Sequence, residues 1–413
     1  MINLKTGVAP LLAEQYADML SLDYRRRNSL LRSYHHNTDD LIQWDRRLQT
    51  YLSGLLYLKN DAYSYFETQL ESPLSRGDVF AIGLFAFHSG NIQLLEGCLG
   101  LMQVMPHLLP VINPLIAWAP VKSPLWERLF INPLFRIIAA YQKIGLPQAP
   151  VLTECEIDKL TVLPVAIPGL IYALHQQRHP DYFSLVTQLA NSPDFQISLE
   201  ALQTILVRHL PCQDISIETL LLRLIQCNND EVRERAVRLY LLNTGYSPSH
   251  CLHVLSQKSS DRRLYLSALG ISGVPENISI LSEYLDSPDY ARLSTASIVM
   301  ITGMSPEQAG WHKPSLLPES SSHLAQDGTI PENEADEDLS WPDKPAFEQW
   351  WGVNSRDFEK TSAYTGGYPA TVAGQRSVLQ RGLLALHPLA IARLQYLKQE
   401  VSTLHTPSFL RIF

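Results

Sequence analysis

Asp230-Glu231-Val232-Arg233-Glu234-Arg235-Ala236 and Asp289-Tyr290-Ala291-Arg292-Leu293-Ser294-Thr295-Ala296 each open on an aspartate behind a turn-forming residue. Each carries an arginine three positions on and an alanine six or seven positions after the aspartate. Two further segments open at Asp194 and Asp261 and lead to Ala201 and Ala268. An aspartate at a helix start can accept from the unpaired N–H groups of the first turn and complements the helix dipole. An alanine in mid-helix lets a neighbouring helix come close. The alanines recur at intervals of about thirty residues, enough for two compact helices per unit. Residues 181–304 therefore read as repeated helix pairs, and the chain as an all-α solenoid. Arg263 sits one position off the register and Asp194 has no arginine, so the outer repeat is degenerate.

Outward from the repeats, residues 1–70 read as N-terminal helices. Leu41, Trp44, Leu48, Leu52, Leu55 and Leu56 recur at helical spacing behind Asp39 and Asp40, either of which can cap the start. Residues 71–180 form a second unit: an apolar helix entered at Asp78, a stop at Ser89-Gly90, a new helix opened by Asn91, then a proline-rich set of short helices. Residues 305–340 are rich in Pro, Ser, Glu and Asp, end in the acidic run Glu332–Asp338, and read as a linker. Residues 341–413 regain order and read as a small C-terminal module, with an amphipathic stretch from Gln375 to Gln399. Trp341, Trp350 and Trp351 are the expected anchors of that module onto the repeats.

The chain has 413 residues, 46% hydrophobic and 18% charged, which fits a folded protein with a sizeable core. A formal charge of −8 argues against a sequence-independent nucleic-acid binder. Five cysteines, Cys98, Cys155, Cys212, Cys227 and Cys251, lie without a CxxC pair and read as small buried residues in a reducing compartment. The first residues lack the apolar core of a signal peptide, so a cytoplasmic location is expected. Two nearly uncharged stretches, Gly97 to Val121 and Leu160 to Gln177, are cut by prolines and read as buried helix and turn, without membrane insertion.

The segment Asp336 to Asp343, with its Trp341-Pro342-Asp343, followed by Trp350-Trp351, Phe358 and Tyr364, resembles a family of HEAT-repeat proteins encoded in bacterial type VI secretion gene clusters. Arg76-Gly77-Asp78-Val79-Phe80, Ser89-Gly90-Asn91 and Ile301-Thr302-Gly303 resemble segments of the same family, and together these cover most of the chain. The chain departs from the family at Ala363-Tyr364-Thr365, where an Arg-Tyr-Leu is usual. The resemblance implies a HEAT-like solenoid and a bacterial, cytoplasmic accessory protein that acts on a secretion effector or spike component. It brings no catalytic residues.

Chemistry is sparse. His175 and His179 have metal-ligand spacing, but Gln176 stands where a zinc protease needs its glutamate, and no third ligand is evident. His250-Cys251 with His253, and His35-His36 with Asp39-Asp40, lack a matching second half and read as turns or caps. Glu154 and Glu156 flank Cys155 and disfavour a thiolate. No GxSxG, GxxxxGK[ST] or strand-borne GxGxxG occurs, so no enzyme, metal or cofactor is expected. Arg233, Arg235, Arg238, Arg262, Arg263 and Arg292 either brace the stack through aspartates or line a face for an acidic protein partner. Arg25-Arg26-Arg27 reads as a solvated helix end. The expected role is a non-enzymatic adaptor or chaperone. The rivals are an immunity protein that neutralises a toxic effector and a lyase-like enzyme.

Overall fold

The computed structural model describes residues 5–142, 151–243, 245–313, 339–360, 362–401 and 405–407. Over these residues the protein is an all-α helical-repeat fold, 71% helical with 22 helices. A single short antiparallel hairpin, Tyr364–Thr365 with Tyr368–Pro369, joins them. No helix among the described residues is long and apolar enough to cross a membrane.

Eight helices pack one after another to form a continuous row: Arg76–Ser89, Ile112–Trp118, Pro133–Gln142, Ile167–Gln176, Phe195–Arg208, Asp230–Leu242, Arg262–Ser272 and Ala291–Thr302. Across the repeats, the helices Tyr182–Ala190, Ile217–Ile225, Pro248–Ser256 and Asn277–Glu283 each pack against two successive members of the row. The row thus begins about a hundred residues before the repeats that the alanines mark. One apolar core cluster contains residues from Ala13 to Ile271, across the expected boundaries at 70/71 and 180/181.

The alanine marks behave as read: Ala201, Ala236, Ala268 and Ala296 are all buried between helices. The aspartates do not all cap. Asp194 accepts from the N–H groups of Gln196 and Ile197 at 2.8 and 3.3 Å. Before Asp230 the cap is Asn229, which accepts from Val232 at 3.1 Å. Asp261 is held instead by Arg233 at 2.8 Å, and the Asp289 carbonyl accepts from Arg263. At the N-terminal region the cap is also earlier than expected, two residues before Asp39: Asn37 accepts from Asp39 and Asp40, while the Asp40 carboxylate accepts from the Asn37 N–H at 3.0 Å. The helix that follows, Thr38–Tyr57, buries Leu41, Leu48, Leu52 and Leu55 as its stripe predicts. Ser75, reciprocated by Asp78, starts Arg76–Ser89, and Gly90, in the left-handed region, ends it.

Two glycines explain how the end of the row is finished. Gly270 lies inside Arg262–Ser272, not in a loop, and a Cβ there would stand 2.7 Å from the Ser297 Cα, so its absence lets the last two row helices touch. Gly273 terminates that helix at φ +76°, and a Cβ would run into the Tyr364 carbonyl. The hairpin docks there. Tyr364 donates its N–H to the Gly273 carbonyl at 2.8 Å, and Gly366 and Gly367 donate to the Met300 and Ile301 carbonyls at 2.7 and 2.8 Å. These are carbonyls that the last turn of a helix leaves without an intrahelical partner.

Beyond the hairpin the expected single amphipathic stretch is two helices, Val372–Arg381 and His387–Tyr396, broken at Gly382. The second packs on Phe195–Arg208 and Asp230–Leu242, and its buried Arg393 donates to the Ile271 and Ser272 carbonyls. The first reaches the N-terminal helices, where Thr38 donates to the Leu379 carbonyl at 2.8 Å and Leu384 N–H to the His36 carbonyl at 2.8 Å. Farther on, the His405 and Thr406 carbonyls accept from Trp118 Nε1 and Arg27. Arg27, expected to be solvated, is 1% exposed and pairs with the fully buried Asp45 at 2.5 Å. The C-terminal segment therefore closes the row back onto the chain's beginning.

Gly273→Ala should lower unfolding stability by about 2 kcal/mol or more, because it combines left-handed strain with a clash that expels the hairpin. Gly90→Ala, whose Cβ would meet open space, carries the strain alone and should cost about half as much. Urea denaturation of both variants checks the difference.

Candidate functional site

The six arginines that the sequence brings forward do not make one open face. Arg233 pairs with Asp261 of the next unit, donates to the Ile225 carbonyl at 3.0 Å and reaches Asp230 at 3.4 Å, so it ties one unit's first helix, its own helix and the following unit. Arg235 pairs with Glu200 at 2.7 Å and donates to Gln203. Arg262 donates to the Tyr284 hydroxyl and lies over the Tyr265 and Tyr284 rings. Arg263 donates to the Asp289 carbonyl. These contacts brace the stack between repeats. Arg238 is half-buried with its Nε unpartnered, and Arg292 stands at the end of the row beside Trp341, its guanidinium 5.2 Å from the ring centroid.

The three tryptophans divide. Trp350 and Trp351 are half-buried in an aromatic series that runs Trp311, Phe347, Trp350, Trp351, Phe358, Tyr364 with centroid spacings of 5.0 to 6.3 Å. Trp341 is 46% exposed and does not anchor the module by burial. The deep anchors are Trp311 and Phe347, 0% and 1% exposed, both in one apolar cluster that includes Leu269, Ile298 and Ile301 of the row. Trp311 lies inside the stretch read as linker, where Ser305 caps a short helix, Pro306–Ala309, and the described residues run to Lys313. The rest of that stretch, including the acidic run, lies outside the described residues up to Leu339, which is buried.

The Trp341-Pro342-Asp343 segment has a clear local physics. Lys313 N–H donates to the Trp341 carbonyl and Asp343 N–H to the Trp311 carbonyl, both at 2.7 Å. The Asp343 carboxylate caps the helix Lys344–Asn354 by accepting from Ala346 at 3.0 Å. The backbone around Trp341 is thus clamped on both sides, and its indole is held outward with Arg292 against it. A tryptophan and an arginine fixed together at a surface match the side chains that dominate protein-binding energetics. Met304 and Val353, 37% and 75% exposed, lie in the flanking sequence segments. Local patterning marks Trp341 as aromatic but gives no sign that it, rather than Trp311, faces solvent.

The remaining chemical candidates stay apart. His175 and His179 line an open cleft of about 520 Å³ with Gln176, Arg178, Tyr182 and Phe183, but His179 Nδ1 accepts from the Asp181 N–H. No group of three or more metal-ligating side chains occurs among the described residues. His250 faces Glu218 and His36 faces Asp40. Cys98 and Cys251 are buried as expected, and burial pushes both thiols up to about 12, away from reactivity. Cys212 and Cys227 are half-buried and Cys155 is exposed, which corrects the reading of all five as buried.

Trp311→Ala should cost about 3–5 kcal/mol, as removal of a fully buried aromatic ring does. Trp341→Ala should cost no more than about 1 kcal/mol, the worth of an exposed cation–π contact. Denaturant unfolding of the two variants separates the anchor from the surface residue, and equal losses would refute the assignment.

Comparison of the chain with protein-family models, with curated proteins and with solved structures finds no match in any of the three.

Proposed function

We propose that the protein is a non-enzymatic, protein-binding scaffold whose contact surface centres on Trp341 and Arg292 at the end of the helical row. The observation that supports this most strongly is the clamped, outward-held indole with an arginine beside it, on a unit where Phe347, Trp350, Trp351, Phe358 and Tyr364 are committed to packing. A pre-fixed Trp–Arg pair loses little conformational entropy on binding, so more of its contact energy is available to a partner. Part of the row is less available, because the helix His387–Tyr396 lies on two of its helices. The resemblance of the Trp-Pro-Asp and Trp-Trp segments to proteins encoded with type VI secretion systems points to the context: an adaptor or chaperone for an effector or spike component.

The test is affinity capture by the full chain from bacteria that carry a complete type VI cluster, with mass spectrometry of the captured proteins. Wild-type protein should enrich a component of that cluster. Trp341→Ala and Arg292→Ala, once their melting temperatures are found within a few degrees of wild type, should reduce that enrichment about tenfold or more, the loss a hot-spot residue brings. Undiminished capture by both variants would place the binding surface elsewhere, and enrichment of no cluster component would end the secretion reading.

A further inference from the structure

Among the described residues, four arginines have an Nε that is shut off from solvent without a hydrogen-bond partner: Arg136, Arg223, Arg238 and Arg393. Three of them have other partners. Arg136 reaches Glu156 at 3.7 Å, Arg223 donates to Ser192 and Ser198, and Arg393 donates to two helix-terminal carbonyls. Arg238 makes none of these contacts. It projects from Asp230–Leu242, the helix on which Phe195–Arg208, Arg262–Ser272 and His387–Tyr396 all pack. Protein surrounds its guanidinium on nearly every side, yet the side chain keeps part of its surface in contact with solvent. It therefore sits in a recess that water reaches.

The charges around it leave the cation uncompensated. Glu234, one turn back on the same helix, is exposed and too far for an ion pair, and it is the one carboxylate that favours the charged form. Arg235 adds a second positive charge nearby but is itself neutralised by Glu200. The buried Tyr34 lies near enough to favour the charged form as well. Burial pulls the guanidinium's pKa down, which marks the same deficit of solvation. A guanidinium whose Nε is buried without an acceptor is an unfavourable arrangement, and a planar, two-pronged donor is the shape that pairs with a carboxylate or phosphate.

We propose that the recess at Arg238 is an oxyanion site, which takes a carboxylate or phosphate group on the guanidinium. It is separate from the Trp341 surface and does not rest on the scaffold reading. The site takes one anionic group at a time, with Glu234 at its rim weakening the attraction.

The experiment is thermal melting of the full chain in rising concentrations of inorganic phosphate and, separately, of a pentaglutamate peptide, at constant ionic strength set with chloride. Wild type should show a saturable rise in melting temperature with at least one probe. Arg238→Met should keep only the non-saturable rise that phosphate gives folded proteins by exclusion. Its apparent affinity should fall at least about tenfold, the loss of a charge-assisted bond. Arg238→Lys should bind with intermediate strength, and Glu234→Gln should bind more tightly than wild type. Should Arg238→Met not fold, the Lys and Glu234→Gln variants decide the matter. Saturation by phosphate alone would identify a free small anion as the occupant, and stronger saturation by the peptide an acidic polypeptide. The same response in wild type and in every folded variant, or no saturable response in wild type, would overturn the site.

Discussion

The last turns of Arg262–Ser272 and Ala291–Thr302 leave carbonyl groups that their own helices cannot satisfy, and the rest of the C-terminal architecture follows from where those groups find donors. Tyr364, Gly366 and Gly367 supply backbone N–H groups and Arg393 supplies its guanidinium. Each amide bond contributes about 0.5–1.5 kcal/mol, but the larger effect is geometric, since a buried carbonyl left unpaired would cost about 1–3 kcal/mol. Gly273 and Gly303, both left-handed, bring the hairpin to touching distance of the two helix ends. The hairpin in turn sets the direction of Val372–Arg381 and His387–Tyr396, which carry the chain back across the row to the N-terminal helices.

That return path shapes what the molecule can bind. An open solenoid offers its inner face to partners. Here His387–Tyr396 lies on Phe195–Arg208 and Asp230–Leu242, and His209 holds the Gln395 carbonyl at 2.8 Å. The chain's own C-terminal segment thus covers part of the surface of the row. What remains outward at the end of the row is Trp341 with Arg292, fixed by the same clamp that starts the helix Lys344–Asn354. Arg233 and Arg235 each have an acidic partner in the next or preceding unit, whereas the Nε of Arg238 has no hydrogen-bond partner among the described residues.

The repeat architecture was legible because its signals are local. Buried alanines at 201, 236, 268 and 296 and the leucine stripe of Thr38–Tyr57 follow from helical spacing alone. Caps were legible only to within two or three residues, since an Asn shortly before an Asp offers a rival acceptor, as at Asn37 and Asn229. Trp311 was hidden by its surroundings: Ser305, Pro306 and Gly310 read as loop, and nothing local reveals that the indole joins the apolar cluster of Leu269, Ile298 and Ile301. The closure between Leu379 and Thr38, or Thr406 and Arg27, joins residues hundreds of positions apart and leaves no periodic mark. The same holds for the candidate site, whose residue types were evident but whose exposure depended on backbone bonds between Lys313, Trp341, Trp311 and Asp343.

Amide hydrogen exchange of the full chain, read at Tyr364, Gly366 and Gly367, tests most directly whether the C-terminal module is part of the row. If the hairpin caps the helix ends as described, these amides should exchange as slowly as those in the middle of Arg262–Ser272 and Ala291–Thr302, through opening of the whole unit. Exchange at the rate of a freely exposed loop, while the two helices stay protected, would contradict the account and make the module an independent appendage.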